Sequence, residues 1–252
     1  MSEVAISPLY FLAVTAASLV SLFFYERIPS SYRGEDTHAV VKSIASVFVL
    51  LTSLILGLLT NSAKNTYEMV DHNIHVLATD LIVLDRTLQR YGADGDPSRQ
   101  ALLLYAKQAA RGNARSEPLV ADRTSENLLN DVARKISAIR PFDAEHLSLW
   151  DDARTELRKI IEMRWNIVEQ SEGSIPAPLL ILLGAWLMWI FASFSFLAPK
   201  NLIVVGSLVM AAALIAGALY LILDMTSPFD GPIQVSRTPL DRAIAEMQQH
   251  PG

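Results

Sequence analysis

The sequence predicts an all-α integral membrane protein, with four transmembrane helices and a helical extramembrane domain inserted between the second and third spans. Three observations predict it. Of 252 residues, 51% are apolar and only 19% are charged, below the ~25% of an ordinary soluble domain. The charges are segregated: residues 64–174 hold 15 of the 21 Lys and Arg and 18 of the 26 Asp and Glu. The flanking sequence contains four apolar runs of about 20 residues, the length a helix needs to cross ~30 Å of hydrocarbon. The pattern excludes a disordered chain. A net charge of −5 argues against a nucleic-acid partner, which selects a basic face. With no cysteine, disulfides, thiolate metal sites and cysteine nucleophiles are absent.

The chain divides into 1–63, a first transmembrane pair; 64–174, the extramembrane domain; 175–225, a second pair; and 226–252, a C-terminal turn and short helix. The first span runs from Pro8 to about Tyr25. It carries Glu3 in place of a basic n-region and is longer than a signal-peptide core, so it reads as a retained span. Ala13, Ala17 and Ser21 recur in it every fourth residue, a spacing that lets helix backbones approach. The second span covers Val40 to Thr60, the third Leu179 to Ala198 and the fourth Asn201 to Leu223. Ala213 and Gly217 repeat the small-residue spacing in the fourth. Only Pro199-Lys200-Asn201 joins the last two spans, so they form a tight hairpin; Pro199 stops one helix and Asn201 caps the next. Trp186 and Trp189 fall near mid-depth and read as packing residues.

The central segment reads as helical throughout. Asp96 and Pro97 start one helix. Thr124 or Ser125 starts another, with Leu129, Val132, Ile136 and Ile139 on one face. Pro141 precedes a long helix bearing Leu147, Trp150, Leu157, Ile161, Trp165 and Val168, which Gly173 and Pro176 close. Gly112–Asp122 reads as a flexible loop. After the fourth span, Pro228-Phe229-Asp230-Gly231-Pro232 makes a compact turn. Thr238 and Pro239 then begin a short amphipathic helix with Leu240, Ile244 and Met247 on one side. It suits either the membrane surface or the central domain.

The second span does not stop at the membrane. From Val40 to Tyr91 there is no proline and one glycine, Gly57, so 52 residues can form one helix ~78 Å long at 1.5 Å per residue. Steps of three and four trace one line along it. In the charged half it reads Ala63, Tyr67, Val70, Ile74, Leu77, Leu81, Leu84, Leu88 and Tyr91, a heptad seam for partner helices. In the apolar half it reads Ser46, Val49, Ser53, Leu56 and Thr60. Water drives an apolar face inward, whereas lipid drives a polar face inward, so one face is expected to point inward at both levels. Packing within one subunit, with the hydroxyls bonded to the preceding turn, satisfies this pattern. So does a pore lined by several copies of this helix, with Lys42 and Lys64 at its two mouths favouring anions.

Chemistry-bearing motifs are few. Glu68/His72 and Asp71/His75 share helix faces four residues apart, but two histidines on one helix are at best half a metal site, and they read as a solvated charge cluster. Asp224 at the end of the fourth span can bind a cation or cap the following turn, and with Thr226, Ser227 and Pro228 next to it capping is the reading taken. No phosphate loop, nucleophile elbow or dinucleotide fingerprint occurs. The expectation is therefore no enzyme, no metal and no cofactor.

The C-terminal residues Asp224, Pro228, Phe229, Gly231, Ile233, Ser236 and Pro239 resemble the signature of the bacterial bestrophin-like family. Leu84-Asp85-Arg86 with Tyr91-Gly92, and Phe191-Ala192-Ser193-Phe194 with Ala198-Pro199-Lys200-Asn201, match it as well. The resemblance covers nearly the whole chain. It implies kinship with bestrophins, which are homopentameric anion channels with four spans, a long second helix along the pore and cytosolic termini. It also implies a homo-oligomer in the bacterial inner membrane, with the lipid bilayer and inorganic anions such as chloride as its partners. This chain departs from the bestrophin pattern at two places. The apolar pore neck has only Phe48, Thr52 and Leu56 to offer, and the acidic calcium clasp has no counterpart. The expected function is a passive anion channel lined by Ser46, Val49, Ser53, Leu56 and Thr60, the alternative a non-conducting membrane sensor or scaffold. Four spans place both termini and the central domain on one side. Arg27, Arg33 and Lys42 in the first loop favour an external domain by the positive-inside rule. The resemblance implies a cytosolic one, which is the expectation taken.

Overall fold

The computed structural model describes residues 3–24, 34–111, 123–171, 175–196, 198–229 and 231–249. Among the described residues eight helices form: α1 (Glu3–Phe24), α2 (Glu35–Tyr91), α3 (Asp96–Arg111), α4 (Arg123–Ala138), α5 (Ala144–Ser171), α6 (Ala177–Phe196), α7 (Leu202–Thr226) and α8 (Thr238–Gln249), with a short 3-10 turn at Ala93–Gly95. No strand occurs among the described residues. Gly112–Asp122, expected to be a loop, Arg27 and Arg33 of the first loop, Gly173 and Asp230 lie outside the described residues.

Among the described residues four helices, α1, α2, α6 and α7, are long and apolar enough to cross a membrane. Each starts or ends within a few residues of the expected span, except that α2 begins earlier, at Glu35. At 57 residues it is ~86 Å long by the α-helical rise, and it runs without a break through residues 61–66. The Asn201 side-chain oxygen accepts the Val204 N–H at 2.8 Å, the expected cap on α7.

The chain forms two compact units. The first takes residues 1–64 and 174–226, the second 65–173 and 227–252. In the first, α1 packs on α6 and α7 around Val14, Leu183, Leu187, Ala212 and Leu219, joined by Leu59 and Ala63 of α2. Polar ties cross this apolar unit. Ser7 Oγ donates to the Ala216 carbonyl at 2.8 Å, Ser21 Oγ to Ala192 at 2.6 Å, and the Tyr10 hydroxyl to Leu180. Such bonds hold helices together where no hydrophobic drive acts between them. Ala212 and Ala216 are buried. The expected pair Ala213 and Gly217 lies one position round, on the exposed side of α7.

The second unit is a helical core built on the seam of α2. Val70, Ile74, Leu77, Leu81, Leu84, Leu88 and Tyr91 are all buried. Their partners are Leu102 and Tyr105 of α3, Leu129, Val132 and Ile136 of α4, Leu149, Leu157, Ile160 and Ile167 of α5, and Leu240, Ala243 and Met247 of α8. Leu147 and Trp165 of α5 stay exposed, off this buried face. Each fully buried leucine contributes roughly 1.5–3 kcal/mol. The seam therefore packs against helices of its own chain. α8 docks on this core, and Arg86 pairs with Glu246 across it. Asp143 caps α5, accepting the His146 N–H at 2.7 Å. The turn into α3 requires glycine twice. Gly92 sits at φ +91°, and a Cβ on Gly95 would collide with the Leu88 carbonyl oxygen.

Candidate conduction surface on the second helix

The residues expected to line a pore occupy one stripe of α2. Ser46, Ser53 and Thr60 are exposed, Val49 is 37% exposed, and Leu56 is half-buried. None of the three hydroxyl residues is covered by the other helices of the first unit. The covered positions are instead Ala45, Thr52, Leu59 and Ala63. The reason is helical period. Ala45 and Ala63 are 18 residues apart, which at 3.6 residues per turn is five full turns. Ser46 lies 17 residues from Ala63 and therefore ~100° round the helix. The heptad line that describes the upper half so well drifts ~20° per seven residues on a straight helix. The single inward face expected at both levels is thus two faces: in the apolar half the hydroxyl stripe stands beside the buried stripe.

The hydroxyls differ among themselves. Ser46 Oγ donates to the Lys42 carbonyl at 2.9 Å and Thr60 Oγ1 to Leu56 at 2.7 Å, each bonding back one turn. Both keep their lone pairs outward. Ser53 makes no hydrogen bond among the described residues, so its hydroxyl is the one available as a donor. Thr52 bonds back to Phe48 at 2.7 Å and is buried. Ser53 also borders a groove of about 660 Å³, whose other walls are Phe191 and Phe194 of α6 and Ser207 and Leu208 of α7. Lys42 and Lys64 are exposed; their 22-residue separation is ~33 Å of helix, close to the hydrocarbon thickness.

Of the neck candidates, Phe48 and Thr52 lie off this stripe, and Leu56 lies on it half-buried. The Phe48 ring lies 4.8 Å from that of Trp189 and 5.8 Å from that of Trp186, so both tryptophans pack as expected. Trp189 nonetheless keeps 40% of its surface exposed.

The C-terminal motif is a built turn. Asp224 is buried at the end of α7. The Pro228 carbonyl accepts the Val235 N–H at 2.9 Å, Phe229 inserts into the second core, and Gly231 adopts φ +82°, where side chains are disfavoured. Ile233 is half-buried. Ser236 Oγ accepts the Thr238 N–H at 3.3 Å, which starts α8 one residue before Pro239. The Tyr67 hydroxyl donates to the Gln234 carbonyl at 3.1 Å. In the histidine pair, His75 Nδ1 lies 2.9 Å from the Asp71 carbonyl and His72 is exposed. No three His, Asp or Glu side chains gather into a metal-sized group among the described residues.

Sequence reasoning missed a buried ion pair. Arg99 Nε donates to Asp85 Oδ1 at 3.1 Å and Nη2 to Oδ2 at 3.4 Å, with both side chains under 10% exposed. In the sequence Asp85 stands out only within the family match Leu84-Asp85-Arg86, beside the seam residue Leu84. Nearby, burial pushes the Tyr105 phenol far above its ordinary range, Arg164 only partly opposing it. The N–H and ring of His146 hold the Asp143 carboxyl below its ordinary value.

A family model described as the Bestrophin-like domain matches residues 11–240. No curated protein matches the sequence. Among solved structures, a point variant of a bacterial bestrophin homologue from Klebsiella pneumoniae superposes with a TM-score of 0.69 at 11% identity, over 96% of this chain and 98% of that one. A second, described as a membrane protein, gives a TM-score of 0.65 at 12% identity over 97% and 99%. Another Klebsiella pneumoniae variant gives 0.62 at 13% identity over 96% and 98%. At these identities the likeness is one of fold.

Proposed function

Because this chain belongs to the bestrophin-like family of membrane proteins, we propose that it is a passive anion channel, assembled from several copies around an axis and lined by α2. One observation carries the reading. The hydroxyl residues of the stripe, Ser46, Ser53 and Thr60, stay exposed in their own unit, while Val49 is partly covered. A polar stripe on a membrane helix needs a partner or water, and copies of the same helix around an axis supply both. Leu56 flanks the path. Rings of hydroxyls can replace part of an ion's hydration shell, and Lys42 and Lys64 rings at the mouths favour negative charge. Ser53, as the free donor, makes the closest contact with a passing anion.

Chloride efflux from liposomes containing the purified protein is expected to exceed that from empty vesicles and to fall several-fold in Ser53→Leu. Absence of efflux would contradict the reading. The back-bonded hydroxyls of Ser46 and Thr60 favour a second reading, a non-conducting sensor or scaffold with a dry axis. An oligomer structure separates them by the radius at Ser46, Ser53 and Thr60.

We place the protein in the bacterial inner membrane with its second unit in the cytosol. The chain has no cysteine, so Ser137→Cys on the exposed side of α4 reports sidedness. It is expected to resist an impermeant maleimide in intact cells, and labelling there would reverse the orientation.

A further inference from the structure

We propose that a cavity in the second unit binds a small aliphatic ammonium. The cavity opens between α2, α3 and α8 and measures about 500 Å³, within the range of small-molecule sites. Asp85, Asp96, Arg99, Gln100, Leu103 and Gln248 line it, with Met247 beside them. No step of the conduction reading uses it.

Its charge selects the ligand. The Arg99 guanidinium grips Asp85 through two hydrogen bonds, and its Nη1 lies 3.5 Å from Asp96 Oδ1. Two carboxylates thus share one cation, and one negative charge is left on the wall. Asp85 and Arg99 neutralise each other in a buried, bidentate pair. Asp96 is different. Its side chain is 43% exposed, and its carboxylate has no other polar partner among the described residues. A cation entering the cavity meets that carboxylate first, whereas an anion is repelled.

The remaining walls narrow the class. Leu103 and Met247 offer apolar surface to an alkyl body. Gln100 and Gln248 offer carboxamide oxygens that can accept N–H donors beyond the one Asp96 takes. A bare divalent ion suits the site poorly, because both carboxylates already face Arg99 and only amides complete the shell. A primary ammonium on a short alkyl chain uses every wall.

The full-length protein in detergent, titrated with n-butylammonium chloride against sodium butyrate at equal ionic strength, tests this. Calorimetry is expected to show saturable binding of the amine and none of the carboxylate. Asp96→Asn keeps a good helix-start residue and removes the charge; it is expected to weaken amine binding by about tenfold, as loss of a charged hydrogen-bond partner does. Gln248→Lys, which brings its own ammonium to the cavity, is expected to abolish binding while circular dichroism stays unchanged. Equal binding of amine and carboxylate, undiminished binding in Asp96→Asn, or magnesium chloride binding in place of the amine would each overturn the assignment.

Discussion

Arg99 closes a buried ion pair with Asp85 in the second unit. Arg99→Ala leaves the Asp85 carboxylate buried without its cation, a loss that costs ~3–5 kcal/mol. Thermal unfolding in detergent is expected to show a large fall in Tm, most of it recovered in the double variant with Asp85→Leu. Asp80 has the opposite character. Burial, and behind it the Glu156 charge, raise its carboxyl pKa above the ordinary value, with Lys159 opposing. A folded-state pKa raised above the unfolded one means that ionisation disfavours the fold. The penalty appears as pH rises through the unfolded value and is absent in acid, where both states are protonated. Asp80→Asn is therefore expected to raise Tm at neutral pH and to leave it unchanged well below the ordinary Asp range. Neither effect was legible in the sequence. Asp85 stood out only as part of a family motif. Its partner lies 14 residues on, across a turn that depends on Gly92 and on the close approach of Gly95 to Leu88. Pairings made by such a turn leave no periodic trace.

At the scale of elements, the sequence read most clearly where period and burial coincide. The seam from Val70 to Tyr91 is buried at every position, and α4 buries Leu129, Val132 and Ile136 as expected. Capping of α7 by Asn201 followed from local chemistry alone. The same heptad rule misplaced the lower half of α2. The covered positions Ala45, Thr52 and Leu59 each stand one residue before Ser46, Ser53 and Thr60. The drift of a 3.5-residue line on a 3.6-residue helix, ~20° per heptad, accounts for only part of that step. In lipid there is no apolar contrast to reveal which stripe is covered. The difference has a measurable consequence. Leu81→Ala, at a fully buried seam position, is expected to cost ~2–5 kcal/mol. Leu58→Ala, on a side chain 61% exposed, is expected to leave Tm nearly unchanged. Urea unfolding of the two variants checks it; equal losses would mean that the seam is not the core.

At the scale of the whole molecule, the family and its fold rest on a domain match over residues 11–240 and on superpositions that cover nearly all of each chain. Conduction rests on a narrower base, the uncovered hydroxyl stripe of α2. The stripe was visible in the sequence as hydroxyls seven residues apart. Its separation from the covered face was not, because that depends on which side α6 occupies. The most direct measurement uses the absence of native cysteine. Chloride efflux is recorded from liposomes bearing Ser53→Cys or Leu58→Cys, before and after a water-soluble thiosulfonate. Position 58 lies five residues on, ~140° round the helix. Efflux through Ser53→Cys is expected to be blocked and that through Leu58→Cys to continue. Equal block of both, or efflux through Ser53→Cys that the reagent leaves intact, would contradict a path along this stripe.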